Sequence, residues 1–193
     1  YFYDGNAICF TYSEFINMDD LSLPAIDTVE IIFSNEGVIT LEYSRGCNYG
    51  KCSFCPRKFK GNKWRGMSER KMFELWQYYY LIFAQYNKKP YVYFADEEFL
   101  GNCHIKENFL RIKNFFDIIY RENIKMNFDI SCIVDQLVDN TRNMSWTMQQ
   151  IELFALAKKI GLKRIFLGLE SGSTEQMKRY NKGINISQAV ASL

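Results

Sequence analysis

Strand-like and helix-like stretches alternate along this chain, and that alternation restricts the fold more than any other feature. Residues 38–43 read as a first strand. Ser68 stands where it can cap a helix whose apolar residues Met72, Leu75, Trp76, Tyr79, Phe83 and Tyr86 recur at helical spacing. Pro90 ends that region, and residues 91–95 read as a buried strand. Ile105, Phe109, Ile112, Phe116 and Ile119 mark a second amphipathic helix, and residues 126–133 a third strand. Thr147 with Gln150 predicts a capping box opening a third helix, which Gly161 closes. Residues 163–169 give a fourth strand, and Ser173 with Gln176 and Asn185 with Gln188 two more capping boxes. Strands separated by helices of this length build βαβ units on a parallel sheet.

The composition suits one well-filled core. The chain has 193 residues, 48% of them hydrophobic and 17% aromatic, which favours dense packing over disorder. A net charge of +2 names no partner. No run of about 18 apolar residues exists to span a membrane. Six cysteines in a chain too apolar to need disulfide stapling imply a reducing, cytoplasmic setting. With His104 as the only histidine, imidazole acid–base chemistry has almost no material.

Three of the cysteines, Cys47, Cys52 and Cys55, fall within nine residues directly after the first strand. Three soft thiolates on one loop are a common grip for an iron–sulfur cluster. A self-sufficient cluster or a structural zinc wants four ligands, so one metal position stays open for a small molecule. The competing reading of the triplet is a zinc knuckle that recruits Cys103 and His104 as a second arm, and the non-enzymatic alternative is a zinc- or cluster-stabilised binding module. Cys9, Cys103 and Cys132 otherwise read as buried small apolar residues. Each polar cluster lies just after a predicted strand: the cysteine loop, Asp96-Glu97-Glu98, Asp135, and Glu170-Ser171-Gly172. Parallel sheets bind ligands at that end, so the clusters converge on one rim. Such even placement favours a partial (β/α) barrel of parallel strands with outer helices over a doubly wound sheet.

The run Gly46-Cys47 to Phe54-Cys55-Pro56 after a strand resembles the cluster loop of the radical S-adenosylmethionine (SAM) enzymes. The resemblance implies that Cys47, Cys52 and Cys55 hold a [4Fe–4S] cluster whose fourth iron chelates SAM, with Phe54 beside the adenine. It extends to Asp96 and Glu97, similar to the acidic segment that meets the amino end of SAM. It extends also to Gly168, Glu170 and Ser171, in the Gly-x-Glu-Ser-Gly run closing the fourth strand, where a carboxylate accepts hydrogen bonds from a ribose or ammonium group. Lys182-Gly183 fits the same pattern. The implied activity is reductive cleavage of SAM to a 5′-deoxyadenosyl radical that abstracts hydrogen from an unidentified substrate. The electron donor would be a flavodoxin or ferredoxin.

Two departures refine that picture. Four residues separate Cys47 from Cys52 where the commonest spacing has three. Ile133 stands where relatives often carry an arginine two residues before the aspartate, here Asp135, so either another cation, with Arg45, Lys51 and Arg57 near in sequence, faces the SAM carboxylate or that contact is absent. Residues 57–66 hold five basic residues and two aromatics, which read either as a solvated loop with Trp64 tucked inward or as an RNA-binding surface like that of methylthiotransferases. Family barrels usually have six strands and four are visible, so residues 36–193 read as the N-terminal part of a barrel truncated at its C-terminus. Residues 1–35 read as a lead-in. Its segment Leu21–Asp27 resembles the linker of cobalamin-binding members, implying a cobalamin domain upstream.

Overall fold

In the computed structural model, residues 15–56 and 63–193 are described in full, preceded by the backbone of β1 (Phe2–Tyr3) and β2 (Ile8–Cys9), an antiparallel pair. A 3-10 turn at Met18–Asp20 leads into α1 (Ile26–Ser34), so the second half of the lead-in is structured. Val29 of α1 is buried, and Ile32 and Phe33 pack against the core. Then come β3 (Ile39–Leu41), β4 (Ser44–Arg45) and β5 (Arg65–Gly66), the last two forming an antiparallel ribbon that brackets the cysteine loop. The remaining order is α2 (Glu69–Gln85), β6 (Tyr91–Phe94), α3 (Lys106–Glu122), β7 (Asn127–Cys132), α4 (Met144–Ile160), β8 (Leu162–Leu167), α5 (Thr174–Arg179) and α6 (Ile186–Ala191).

β3, β6, β7 and β8 make a four-stranded sheet in that order, every neighbouring pair parallel. Strand order follows chain order, so each crossover steps one strand onward through a helix, which is the winding of a barrel wall. Both α2 and α3 cover one face. Trp76 of α2 lies against Phe94 and Phe128, and Phe116 of α3 packs on the same Phe128. A doubly wound sheet would put its helices on both faces. The uncovered face carries Tyr93, Ser131 and Phe166, and Phe166 is 71% exposed, as expected of a wall whose barrel is not closed. Lower on that face, Tyr91, Asp129 and Arg164 tie β6, β7 and β8 together, Arg164 Nε donating to Asp129 at 2.8 Å and Nη2 to the Tyr91 hydroxyl at 2.8 Å.

The aromatic surplus goes into the layer between sheet and helices. Trp76, Tyr43, Phe94, Phe99, Phe115 and Phe128 are fully buried there, and most of their rings meet edge-on or tilted, with Trp76 stacked on Phe94. Two polar tips in this layer find partners: Trp76 Nε1 donates to the Ile124 carbonyl at 2.7 Å, and the Tyr43 hydroxyl to that of Met72 at 3.0 Å.

Helix starts match the predicted caps in part. Ser68 accepts from the Lys71 amide, and Asn185 with Gln188 closes a full capping box. Ser173 accepts from the Gln176 amide, but its own N–H goes to Ser171 Oγ, so that box is half made. The third helix begins a turn earlier than predicted. Asn143 is its cap, accepting from the Trp146 amide at 3.0 Å. Thr147 lies inside the first turn with its hydroxyl bonded back to the Asn143 carbonyl, and Gln150 is buried. Asparagine caps at least as well as threonine, and it is met first along the chain.

Candidate functional site

At the carboxyl ends of the sheet strands lies a cavity of about 480 Å³. Cys47, Cys52 and Cys55 lie along it with Phe54. The end of β6 supplies Ala95, Asp96 and Glu97, and the end of β7 Ile133 and Asp135. Gly168 and Glu170 after β8, with Lys182, complete the lining. The polar clusters that follow successive strands in the sequence thus meet around one space. Ser171 stands apart from this lining, its hydroxyl taken by the Ser173 amide.

The cysteine loop leaves the sheet through a fixed doorway. Gly46 has φ +88, and a side chain there would press on the Lys63 carbonyl at 2.6 Å, so glycine is required by both conformation and space. Its amide donates to Glu97 Oε2 at 2.9 Å. Asp96 is turned into the protein: Oδ1 accepts from Ser44 Oγ at 2.6 Å and from the Tyr43 amide at 3.1 Å. Burial pushes its carboxyl up to about 7, against the pull of those hydrogen bonds. Asp96 and Glu97, expected as contacts for the amino end of a ligand, therefore also brace the backbone from which the cysteine loop springs. Glu98 belongs to the acidic cluster read from the sequence, but only Asp96 and Glu97 are expected there as ligand contacts. It is fully buried, accepts from the Ile133 amide at 2.8 Å, and joins the ends of β6 and β7; burial holds its carboxyl well above the usual range. Its sequence signal is its place in that post-strand cluster, directly before the apolar pair Phe99-Leu100, which does not reveal the bracing role.

Across the cavity, Glu170 pairs with Lys182 at 3.1 Å. Glu170 has φ +64, a left-handed conformation that costs a non-glycine residue roughly 1–2 kcal/mol and is typical of functional sites. The Lys182 side chain is only 10% exposed, and its ammonium sits 5.8 Å from the centre of the Phe54 ring. Burial raises the thiols of Cys47 and Cys52, and for Cys52 the Lys182 charge works in the opposite sense. Of the cations proposed for the carboxylate role, Arg45 is engaged by Glu42 at 2.7 Å, Lys51 does not line the cavity, and Arg57 lies outside the described residues. Lys182 is the cation that lines it among the described residues.

The zinc arrangement does not form. Cys103 is buried, its thiol directed to the Leu100 carbonyl and pushed up to about 12 by burial, and His104 stacks on Trp146 beside Asp139. Neither lines the cysteine cavity. Among the described residues, no three Cys, His, Asp or Glu side chains are grouped to hold a metal ion between them. A cluster makes a different demand, since each thiolate binds its own iron and the three need only face one space. Four of the described cysteines line the cavity; Cys132 is buried at the end of β7 with its thiol directed to the Ile133 carbonyl, and the three on the loop suit that donor set. In the basic segment, residues 57–62, with Lys58, Phe59 and Lys60, lie outside the described residues, as does the side chain of Cys9. Trp64 is tucked inward, donating to the Glu98 carbonyl at 2.8 Å with Arg111 over its ring, so it is not free to stack on a base.

Among the described residues, no helix is long and apolar enough to cross a membrane. No protein-family model matches the chain. It is 32% identical over 91% of its length to 4′-phospho-dehydrooxetanocin synthase of Priestia megaterium, and 26% identical over 92% to hopanoid C-3 methylase of Methylococcus capsulatus. It superposes on the cobalamin-dependent S-adenosylmethionine radical enzyme OxsB, solved with aqua-cobalamin and S-adenosylmethionine bound, with a TM-score of 0.91 and 30% identity over 98% of this chain. The chain spans 24% and 30% of the two curated relatives and 26% of the solved one. Sheet, cysteine loop and relatives agree, and the chain belongs to the radical SAM enzymes, in the company of their cobalamin-dependent members.

Proposed function

We propose that this chain is the SAM-cleaving core of its enzyme, with Cys47, Cys52 and Cys55 as the three protein ligands of a [4Fe–4S] cluster. The observation that carries the reading is that all three thiols line one cavity at the carboxyl ends of the strands, facing the Glu170–Lys182 pair. Held there by Cys47, Cys52 and Cys55, a cluster would supply the one electron needed for reductive cleavage of the SAM carbon–sulfur bond.

The chain's own residues orient and enclose. Phe54 offers an aromatic face beside the last cysteine for the adenine. Lys182 is the cation for the SAM carboxylate, and Glu170 accepts from a ribose hydroxyl or the ammonium group once Lys182 turns to its ligand. Gly168 leaves room for close approach of the cofactor to the backbone. Asp96, Glu97 and Glu98 hold the doorway in shape. By their names, one relative makes 4′-phospho-dehydrooxetanocin and another methylates hopanoids. A core common to such different products carries the cofactor chemistry, while substrate choice and cobalamin binding belong to the other three quarters of an enzyme of that size. A flavodoxin or ferredoxin is the proposed reductant.

The test is anaerobic reconstitution of the full-length protein with iron and sulfide. Wild type gains the visible absorption of a cluster, and Cys47→Ala, Cys52→Ala and Cys55→Ala each lose it. A complete cluster in all three single variants would overturn the ligand assignment.

A further inference from the structure

The loop between the first and last cysteine is tied at alternate residues to one distant turn. The Tyr49 hydroxyl donates to the Asn181 carbonyl at 2.6 Å. The Lys51 carbonyl accepts from Asn181 Nδ2 at 2.9 Å. At Ser53 the amide donates to the Tyr180 carbonyl at 2.9 Å and the hydroxyl to that of Arg179 at 3.0 Å. Phe54 meets Tyr180 edge to face at 5.0 Å. Gly183 has φ +74 and lies close against the Tyr49 ring, where an added Cβ would collide with the ring. Residues 49, 51 and 53 are thus bonded to the connection between α5 and α6, while Cys47, Cys52 and Cys55 line the cavity, whose edge the Tyr49 ring and Gly183 also reach.

That connection is itself fixed. The Lys182 amide bonds the Met177 carbonyl at 3.1 Å, Met177 is buried, and Asn181 adopts the left-handed conformation with φ +50. Asn185 caps α6, and Gln188 reaches the Val138 carbonyl. The same turn carries Lys182 into the cavity beside Glu170. One short segment therefore touches the cysteine loop from behind and the proposed cofactor space from the side.

We propose that the turn Tyr180–Gly183 is a positioning element for the cysteine loop, holding it in ligating shape before metal arrives and keeping it in register with the Glu170–Lys182 pair. The inference rests on the proposed function only for what the loop binds; the clamp itself is a property of the metal-free chain. Asn181 and Tyr49 are its positioning residues.

The experiment uses the full-length protein carrying Tyr49→Phe together with Asn181→Gly. Glycine keeps the left-handed backbone at 181 and removes only the amide, so the pair deletes two of the four bonds without strain. Two readouts are taken, amide exchange across residues 47–55 in the metal-free protein and the rate of iron loss to a chelator after reconstitution. Exchange at the Ser53 amide is expected to accelerate about tenfold, and iron loss about as much, with the thermal midpoint of the metal-free protein nearly unchanged. Ser53→Ala, on the other side of the same clamp, is expected to act in the same direction more weakly. Wild-type exchange and wild-type iron retention in the double variant would overturn the proposal. So would acceleration that merely tracks a lowered midpoint, as a general loss of stability would give. A wild-type protein that takes up no cluster would instead count against the proposed function, and the exchange readout would still decide the clamp.

Discussion

Asp96 and Lys182 show how much at this rim is decided by single side chains. The folded chain keeps the Asp96 proton up to about pH 7, whereas an unfolded aspartate releases it near pH 4. Native protein thus holds more protons over that interval, so its stability is greatest below the unfolded pKa and falls as pH rises through the folded one. Between pH 5 and 8 about two units of differential protonation amount to about 2–3 kcal/mol. Glu98, also raised by burial, pulls in the same direction. Asp96→Asn keeps an acceptor for Ser44 and Tyr43 and is expected to flatten the slope, as read from urea midpoints of metal-free protein at pH 5 and pH 8. A wild-type midpoint that rises over this range would contradict the assignment. Lys182→Met is expected to weaken SAM binding about tenfold, roughly 1.4 kcal/mol, and to leave 5′-methylthioadenosine, which lacks the carboxylate, unaffected. Equal weakening of both ligands would mean that Lys182 only shapes the pocket.

Among the elements, those with strong periodicity were readable and those that depend on distant partners were not. The patterns around Trp76 and Phe116 repeat an apolar residue every third or fourth position, and α2 and α3 form where that repeat runs. The buried strands β6 and β7 announce themselves as short apolar runs. The start of α4 was misjudged because Thr147 and Gln150 match a capping box by spacing alone, while Asn143 carries the same chemistry one turn earlier. Asn143→Ala should therefore cost about 1 kcal/mol of stability and Thr147→Ala only a few tenths, measured by denaturant unfolding; the reverse order would restore the later start. The ribbon of β4 and β5 was not legible, since two residues on either side of a long loop carry no period. At the site, the cysteines, Glu170 and the acidic segment could be seen in sequence because they are local motifs. The inward turn of Asp96, the bracing by Glu98 and the clamp on Tyr49 and Ser53 could not, since each depends on partners from 35 to more than 100 residues away.

For the whole molecule, the four-stranded wall explains both what this segment holds and what it leaves open. Its helix-covered face is a finished aromatic core, whereas the opposite face shows Phe166 and Tyr93 to solvent, and among the described residues β8 is paired on one side only. Radical chemistry needs a closed, water-free space, and this wall supplies one side of it. The 193-residue segment alone is accordingly expected to form no 5′-deoxyadenosine above background when reduced with dithionite and supplied with SAM, whereas the full-length enzyme forms it. Equal yields from both would mean that this wall suffices. The central claim, that three cysteines at the strand ends hold a cluster with an iron open to SAM, is tested most directly by electron paramagnetic resonance. The measurement takes the reconstituted, reduced full-length protein before and after addition of SAM. The account predicts a reduced-cluster signal whose g values shift when SAM binds. A signal unchanged by saturating SAM, or no cluster signal at all, would contradict it.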